Sequence, residues 1–237
     1  MQRKVAIFDI DGTIFRSSLI VELVEVLIER QIFPKKTLGE YEKEHTAWLN
    51  RYGPYKPYIE AVVRVFMQYL AGVESERVID AAKDVVLEQE NRIYRYTRDL
   101  IAKLKSDGYY LLAISHSPKF ILDEFGRRHG FDKIYGKVYV IGNDGKFTGE
   151  IKDHELIGNK SEILKRAIEK ENLTLNDSVG VGDTESDISF LSLVSKPICF
   201  NPNKALYEEA RSKNWLMVVE RKDVIYEIAG LPADSVK

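Results

Sequence analysis

The chain has 237 residues, of which 44% are hydrophobic and 30% charged, and its formal net charge is −2. This composition is typical of a globular protein with one large domain, or with a core domain and a smaller one. A nearly neutral chain gives no electrostatic reason to expect nucleic acid or an anionic membrane as partner. Its one cysteine, Cys199, excludes an intrachain disulfide. No apolar run has the length of a transmembrane helix or of a signal-peptide core, so we expect a cytoplasmic protein.

The first predicted element is a short buried strand over residues 5–8, which ends at two aspartates. Four apolar residues bounded by Asp and Gly are typical of a strand in a parallel sheet. Ligands bind at the carboxyl ends of such strands, so we expect Asp9 and Asp11 at a functional edge, where Gly12 lets the chain turn. A carboxylate there can bind Mg²⁺ or attack phosphorus. The alternative is that Asp-Gly merely ends the strand.

Residues 17–92 are predicted to form a small helical bundle. Apolar residues recur at helical spacing over 17–32, where Ser17 or Ser18 is a suitable N-cap. Pro34 ends this helix, because the residue before a proline is disfavoured in helical geometry. The other helices of the bundle are predicted over 37–50, 58–70 and 75–89.

After residue 94 the pattern changes to helices that alternate with strands. Residues 137–141 and 147–151 flank a Gly-containing turn and are predicted to form a hairpin. Strands that alternate with helices indicate a doubly wound parallel α/β sheet. The remaining helices are predicted over 97–106, 118–129, 160–171, 187–193 and 204–213, and the strands over 109–114, 178–181, 197–200 and 216–219, the last of the chain.

Four short motifs follow one another along the chain. They are Asp9-Ile10-Asp11-Gly12-Thr13, an apolar run at 111–114 followed by Ser115, Lys160 in Gly158-Asn159-Lys160-Ser161, and Gly182-Asp183-Thr184-Glu185-Ser186-Asp187. In this order, with three at strand ends, they resemble the four motifs of the haloacid dehalogenase superfamily, most closely its phosphoserine phosphatase-like branch. The resemblance implies a Rossmann-like catalytic core over residues 1–16 and 93–237, with an inserted helical-bundle cap over 17–92.

The resemblance also implies roles for the acidic residues. Asp9 would be the nucleophile that forms an aspartyl-phosphate, and Asp11 the general acid and then base. Mg²⁺ would be held by the carboxylates of Asp9 and Asp183 and by the backbone carbonyl of Asp11. Asp187 would orient Lys160 or the metal shell. From the residues alone, the alternative is that Asp183 and Asp187 are a loop acid and a first-turn acid that a helix dipole favours.

Further residues are expected around the phosphate. By resemblance, Ser115 would hydrogen-bond a phosphate oxygen and Lys160 would neutralise charge on the phosphoryl group. The alternatives are a helix N-cap for Ser115 and a surface lysine for Lys160. Asn201 either contacts the phosphate side of the pocket, as in the Asn-Pro segment of this branch, or forms an ordinary turn. His116 either touches the leaving group or lies on the surface.

The expected partner is a small phosphorylated metabolite, but the chain departs from true phosphoserine phosphatases. Those enzymes have a glutamate at the position of Ser18, and Gly-Gly at the positions of His116 and Ser117. Phosphoserine is therefore a doubtful substrate. The cap also has four aromatic residues that either contact a ring or quaternary ammonium group, or pack within the bundle. They are Trp48, Tyr52, Tyr55 and Tyr58.

We therefore expect a Mg²⁺-dependent phosphatase, monomeric or homodimeric, that hydrolyses a small phosphomonoester through an aspartyl-phosphate on Asp9. A phosphotransferase or phosphomutase would use the same residues and is the alternative within enzymes. A catalytically idle binding protein is a third possibility, although such a protein has no use for Asp9, Asp11, Lys160 and Asp183 together.

Overall fold

The computed structural model describes residues 2–152 and 158–228. Within these residues, eight strands form one sheet in the order β4-β3-β2-β1-β5-β6-β7-β8. In chain order they are β1 (Arg3–Phe8), β2 (Tyr110–Pro118), β3 (Lys133–Ile141), β4 (Phe147–Lys152), β5 (Leu173–Gly182), β6 (Lys196–Phe200), β7 (Leu216–Arg221) and β8 (Val224–Ile228).

Neighbouring strands are parallel except at the two edges of the sheet. The pairs β3–β4 and β7–β8 are antiparallel, and the others are parallel. β2 and β3 lie on one side of β1 in the sheet, and β5, β6 and β7 lie on its other side. This reversal confirms the doubly wound α/β class and puts the switch point, where ligands bind in such sheets, at the carboxyl end of β1.

Nine α-helices lie within the described ranges. They are α1 (Leu19–Glu29), α2 (Glu42–Leu49), α3 (Tyr55–Leu70), α4 (Ser75–Gln89), α5 (Arg95–Ser106), α6 (Lys119–His129), α7 (Lys160–Glu171), α8 (Ile188–Leu191) and α9 (Lys204–Lys213). Short 3-10 helices cover Lys35–Glu40 and Glu185–Asp187. No helix in the described part of the chain combines the length and apolarity that crossing a membrane requires.

The bundle α1–α4 is inserted between β1 and α5. The chain leaves the sheet and returns at adjacent points, because the Arg16 N–H donates to the Arg92 carbonyl at 2.9 Å and Phe15 bridges to Ile93. These contacts agree with a core that resumes near residue 93. The exact division into a core (1–16 and 93–237) and a cap (17–92) stays a prediction.

Alternate residues of β1 bury opposite faces of the sheet, as the period of a strand requires. Ala6 and Phe8 belong to an apolar cluster that continues into the inserted helices and into α5 and α6. Val5 and Ile7 belong to a second cluster with residues of α7, α8 and α9. Both faces of β1 are therefore covered, which is why its sequence is an unbroken apolar run rather than an alternating one.

Two helices differ from the sequence prediction. The helix predicted over 37–50 is a 3-10 segment followed by α2, with a break at Tyr41; Gly39, a poor helix former, lies in the 3-10 segment. The helix predicted over 58–70 begins earlier, at Tyr55. Pro57 lies in its first turn, where the missing N–H of a proline is tolerated.

The elements in the C-terminal part of the chain also differ from the prediction. The strand expected over 216–219 as the last of the chain is followed by β8, which pairs with it in a hairpin. β8 is a short edge strand in which Val224 and Tyr226 are exposed and Ile225 is only partly buried. The helix expected over 187–193 is shorter, as α8. The hairpin predicted over 137–151 is confirmed as β3 and β4.

Candidate active site

Asp9 is the first residue after β1, at the carboxyl edge of the sheet. Its backbone N–H donates to the Val181 carbonyl at 2.9 Å, which extends the pairing of β1 with β5 and places the side chain at the switch point. Asp9 is only 5% exposed and Lys160 only 2%. The Lys160 ammonium donates to Asp9 Oδ1 at 2.6 Å. The proposed nucleophile is thus held against a buried cation.

The turn after Asp11 brings the first and fourth motifs into contact. Gly12 has φ +82°, and a Cβ atom there would lie 2.2 Å from Asp183 Oδ2, so a larger residue does not fit. The Thr13 hydroxyl donates to Asp183 Oδ1 at 3.3 Å. The Thr13 carbonyl in turn accepts from the Thr97 hydroxyl at 3.0 Å, which anchors the turn to α5.

Lys160 is the first residue of α7. The Asn159 side chain caps this helix by accepting from the Ser161 N–H at 3.2 Å. From this position Lys160 reaches two carboxylates, because its ammonium also donates to Asp187 Oδ1 at 2.6 Å. The sequence alternative of a solvated surface lysine is therefore wrong.

Asp187 holds together the loop that carries Asp183. Its Oδ2 accepts from the backbone N–H groups of Asp183 at 3.0 Å and Thr184 at 3.1 Å, while its Oδ1 binds Lys160. Gly182 allows this approach, since a Cβ atom there would lie 2.5 Å from the Asp187 Cβ. Asp187 therefore positions both the ammonium and the neighbouring carboxylate.

The site carries more buried negative than positive charge. The pKa of Asp9 is raised to about 8, chiefly by burial; Lys160 opposes this rise, while Asp187 and Asp11 add to it. Burial, followed by the charges of Asp9 and Asp187, raises the pKa of Asp183 well above its ordinary value. Burial by itself lowers the pKa of Lys160, but Asp187 and Asp9 raise it above the ordinary value. A further cation would relieve this excess of negative charge.

The carboxylates present fit a divalent cation. Asp9, Asp183 and Asp187 each offer an oxygen, and these three atoms lie within 4.8 Å of one another. Carboxylate oxygens are the ligands that Mg²⁺ prefers. Because Asp187 already accepts four hydrogen bonds, Asp9 and Asp183 are the better candidates to hold the ion. The participation of the Asp11 carbonyl stays a prediction.

Asp11 connects the catalytic edge to the first cap helix. Its Oδ1 accepts from the Leu19 N–H at 2.7 Å, whereas Ser18, at the N-cap position of α1, makes no side-chain capping bond. Its Oδ2 accepts from the hydroxyls of Ser115 at 2.7 Å and Ser117 at 2.8 Å. The residue expected as general acid and base is therefore oriented by three donors. A contact between Ser115 and phosphate stays a prediction.

Two other expected site residues are Asn201, which follows β6, and His116 on β2. Asn201 has φ +43°, and its side-chain oxygen accepts from the Glu220 N–H at 2.9 Å, so it joins the end of β6 to β7. This hydrogen bond supports the turn alternative, and the contact of Asn201 with phosphate stays a prediction. His116 follows Ser115 on β2 and is partly buried.

Sequence reasoning gave Ser117 no role at the site; its signal was the two-residue spacing from Ser115, which puts both side chains on one side of an extended chain. Two residues of α3 also lie near the site. The Lys56 ammonium donates to Glu185 at 3.1 Å, and the Tyr55 hydroxyl interacts with Ser18, with the charges of Asp11 and Asp183 nearby.

The aromatic residues of the cap pack within the bundle. The ring of Tyr55 lies 5.2 Å from that of Trp48 and 5.8 Å from that of Tyr58, measured between centroids. Tyr52 is exposed. The packing alternative is therefore confirmed for Trp48, Tyr55 and Tyr58.

Comparison with known families agrees with this geometry. The family model of haloacid dehalogenase-like hydrolases matches residues 6–192, a span that includes β1, the inserted helices and the loop of Asp183. The chain belongs to this family. The hydrolase class expected from the four motifs is thereby confirmed.

Curated relatives of this haloacid dehalogenase-like hydrolase include two phosphatases of similar length. Phosphoserine phosphatase of Methanocaldococcus jannaschii is 25% identical over 225 residues, which cover 94% of this chain and 95% of that protein. Histidinol-phosphatase of Neisseria meningitidis serogroup C is 25% identical over 218 residues, 90% of this chain and 97% of that protein. A Streptomyces azureus protein named Inhibition of morphological differentiation protein is 28% identical over 123 residues, which cover 52% of this chain and only 44% of that protein.

Solved structures share the fold. A protein of unknown function from Bordetella pertussis Tohama I superposes with a TM-score of 0.71 at 17% identity, covering 92% of this chain and 98% of that chain. A phosphoserine phosphatase, solved as an analogue of its phospho-aspartyl intermediate, gives a TM-score of 0.64 at 23% identity, with 94% and 96% covered. These similarities confirm the fold.

Proposed function

We propose that this protein is a Mg²⁺-dependent phosphatase that hydrolyses a small phosphomonoester through an aspartyl-phosphate on Asp9. The observation that supports this proposal best is the buried contact of Asp9 with Lys160, beside the carboxylates of Asp183 and Asp187. A buried carboxylate held by a single ammonium at the switch point of the sheet suits covalent catalysis better than a structural role. The names of the phosphatase relatives agree with a small phosphorylated metabolite as substrate.

The proposed reaction consists of two displacements at phosphorus. In the first, an oxygen of Asp9 bonds to phosphorus while the bond from phosphorus to the leaving oxygen breaks, and Asp11 gives that oxygen its proton. In the second, Asp11 takes a proton from water as the water oxygen attacks phosphorus and releases Asp9. Lys160 neutralises charge on Asp9 and on the phosphoryl group. A divalent ion held by Asp9 and Asp183 would supply Lewis-acid stabilisation of the phosphoryl oxygens.

Three hydrogen bonds orient the Asp11 carboxylate, which is proposed to transfer the proton. Ser115 and Ser117 hold Oδ2, and the Leu19 N–H holds Oδ1, so the carboxylate has a defined orientation beside Asp9. Because Leu19 belongs to α1, the orientation of Asp11 also depends on the position of the cap. Substrate binding under the cap is expected to place the leaving oxygen beside this carboxylate.

The test is phosphate release from a panel of small phosphomonoesters, measured with Mg²⁺ and with EDTA. We expect Asp9→Asn to lower the rate by at least about 10³-fold, since it removes the nucleophile. Asp99→Asn, which changes an exposed aspartate on α5, is the matched control and keeps the wild-type rate. Release that persists in Asp9→Asn, or that EDTA leaves unchanged, would contradict the proposal. Transfer of the phosphoryl group to an added alcohol instead of water would indicate a phosphotransferase.

A further inference from the structure

The hydroxyl of Ser117 binds a residue of the catalytic edge and takes no part in local structure. It donates to Asp11 Oδ2 at 2.8 Å, and only 3% of the residue is exposed. Serine is a preferred N-cap residue, but the N-cap position of α6 is taken by Pro118. The buried hydroxyl of Ser117 therefore serves Asp11 and not the end of a helix.

The core of the protein fixes the position of Ser117. The register of β2 against β3 shifts between Ile114 and Pro118, so Ser115 and Ser117 lie in the irregular stretch. Irregularities of this kind re-aim side chains beside active sites. Gly136 of β3 lies against the same stretch, since a Cβ atom there would be 2.9 Å from the Ser117 carbonyl oxygen. Backbone contacts within the sheet thus hold Ser117 next to the catalytic edge.

The neighbouring hydroxyl of Ser115 cannot donate to Asp11 and to a phosphoryl group at the same time. A serine hydroxyl has one proton to donate, and Ser115 gives it to Asp11 Oδ2 at 2.7 Å. The Ser115 oxygen also accepts from the Ser117 N–H at 3.0 Å, which holds that oxygen in place. When Ser115 donates to a phosphate oxygen, as the resemblance implies, its hydrogen bond to Asp11 is therefore lost.

This loss leaves the Asp11 carboxyl with two donors in the described part of the chain. Its Oδ1 accepts from the Leu19 N–H at 2.7 Å, and its Oδ2 keeps Ser117. Leu19 belongs to the inserted helix α1, whereas Ser117 belongs to the sheet. The last torsion of an aspartate side chain is only weakly restricted by itself, so hydrogen bonds decide where the carboxyl points. Ser117 is then the one donor of the catalytic core that directs Oδ2.

We propose that Ser117 is a positioning residue, which keeps Asp11 directed at the leaving oxygen once the Ser115 hydroxyl has turned to the phosphoryl group. This inference rests on the proposed function, because it takes the phosphoryl group to lie at Asp9 and Asp11 to give the leaving oxygen its proton. Ser115 binds the substrate, and Ser117 acts through Asp11. Esters whose leaving group departs only with a proton depend on Ser117, and esters with a stable leaving anion do not.

The experiment compares two esters of similar size that differ in their need for a proton. The nitrophenolate of p-nitrophenyl phosphate leaves as a stable anion, whereas benzyl phosphate would release an alkoxide unless the leaving oxygen is protonated. We would measure kcat/KM for both esters in Mg²⁺, because this quantity includes the first displacement and not the later hydrolysis of the aspartyl-phosphate.

The variants are Ser117→Ala, Asp11→Asn and the two changes together. Ser178→Ala is the matched control, because it also removes a buried hydroxyl from a strand. The Ser178 hydroxyl is on β5 and donates to the Leu175 carbonyl at 2.6 Å. It makes no contact with Asp11 among the hydrogen bonds of the described residues.

We expect Ser117→Ala to lower kcat/KM about tenfold or more for benzyl phosphate and at most about twofold for p-nitrophenyl phosphate. Asp11→Asn should show the same selectivity with a larger loss. Adding Ser117→Ala to Asp11→Asn should cost nothing further, because Ser117 acts through Asp11. Ser178→Ala should leave the ratio of the two esters unchanged. Equal losses for both esters in Ser117→Ala, or losses that add fully in the double variant, would refute the role of Ser117.

A crystal structure with Mg²⁺ and beryllium fluoride, which mimics a phosphoryl group on a carboxylate, tests the same inference without turnover. We expect the Ser115 hydroxyl within hydrogen-bond distance of a fluoride, and the Ser117 hydroxyl still on Asp11. A Ser117 hydroxyl turned away from Asp11, or a Ser115 hydroxyl that still donates to it, would overturn the inference.

The two proposals can fail separately. A wild-type protein that releases phosphate from neither ester would contradict the hydrolase proposal, and the beryllium fluoride structure then decides the position of Ser117. Beryllium fluoride that does not bind Asp9 would contradict the aspartyl-phosphate and this inference with it. A wild-type protein that hydrolyses both esters, with an unchanged ratio in Ser117→Ala, would refute the role of Ser117 alone.

Discussion

Lys160→Met is expected to destabilise the protein by about 3–5 kcal/mol, because it removes one partner of buried ion pairs and leaves carboxylates uncompensated. The ammonium makes two hydrogen bonds of 2.6 Å, to Asp9 and Asp187, and is almost fully buried. Asp187 keeps the backbone donors of Asp183 and Thr184. The free energy of unfolding should therefore fall by an amount near the lower end of the range, about 3 kcal/mol, which is a large share of the stability of a typical domain.

The pH dependence of this loss follows from the pKa of Asp9. The pKa is about 8 in the folded protein against an ordinary value of 3.8, and Lys160 is the group that opposes the rise. An acid whose folded pKa is raised binds its proton more tightly in the folded state, so folding is favoured as the pH falls from 8 toward 4. Protonation of Asp9 relieves the uncompensated charge in this window. The destabilisation by Lys160→Met should therefore be larger at pH 8 than at pH 5.

The assay is urea unfolding in EDTA at both pH values, followed by circular dichroism. Lys165→Met on the same helix is the matched control; its side chain is 55% exposed and pairs with Glu162 at 2.7 Å. An exposed pair of this kind contributes at most about 1 kcal/mol. The reasoning is refuted if Lys160→Met costs no more than Lys165→Met, or if its cost grows as the pH is lowered.

Two further predictions concern steric fit and thiol burial. Gly12→Ala should lose activity by about 10²-fold or more, because its Cβ would lie 2.2 Å from Asp183 Oδ2. Gly72→Ala, at a similar φ of +80° with nothing within 4 Å, should cost only the backbone strain of about 1–2 kcal/mol and keep activity; equal activities would remove the steric argument. Cys199 is buried, and its pKa is raised to about 12, chiefly by burial, so an aromatic disulfide reagent should label it only after unfolding. Rapid labelling of the native protein, followed by absorbance, would contradict this.

Much of the site was predictable because its chemistry depends on short local patterns. The strand before Asp9 is an unbroken apolar run, and a strand covered on both faces has to be one. Gly12 directly follows Asp11, where the turn requires a positive φ. Lys160 and Asp183 were assigned by resemblance, and the structure brings both to Asp9 although they lie far along the chain.

Other features were not visible in the sequence because they depend on which strands become neighbours. The short edge strand β8 is mostly exposed, with Ile225 partly buried against the core, so burial leaves little apolar period to detect. The capping of α1 by Asp11 instead of Ser18 requires the first turn of the cap to pack against the catalytic edge. Ser117 binds Asp11 because β2 continues in extended form beyond Ser115.

By itself, the sequence determined the class of sheet, the edge where chemistry takes place and the residue types that perform it, because hydrophobic period and motif order are local properties. Only the tertiary structure decided how charges are paired. It gave the Lys160 ammonium the buried carboxylates of Asp9 and Asp187 as partners. The free energy of a buried charge depends on what the fold brings within a few ångströms, and no local pattern records that.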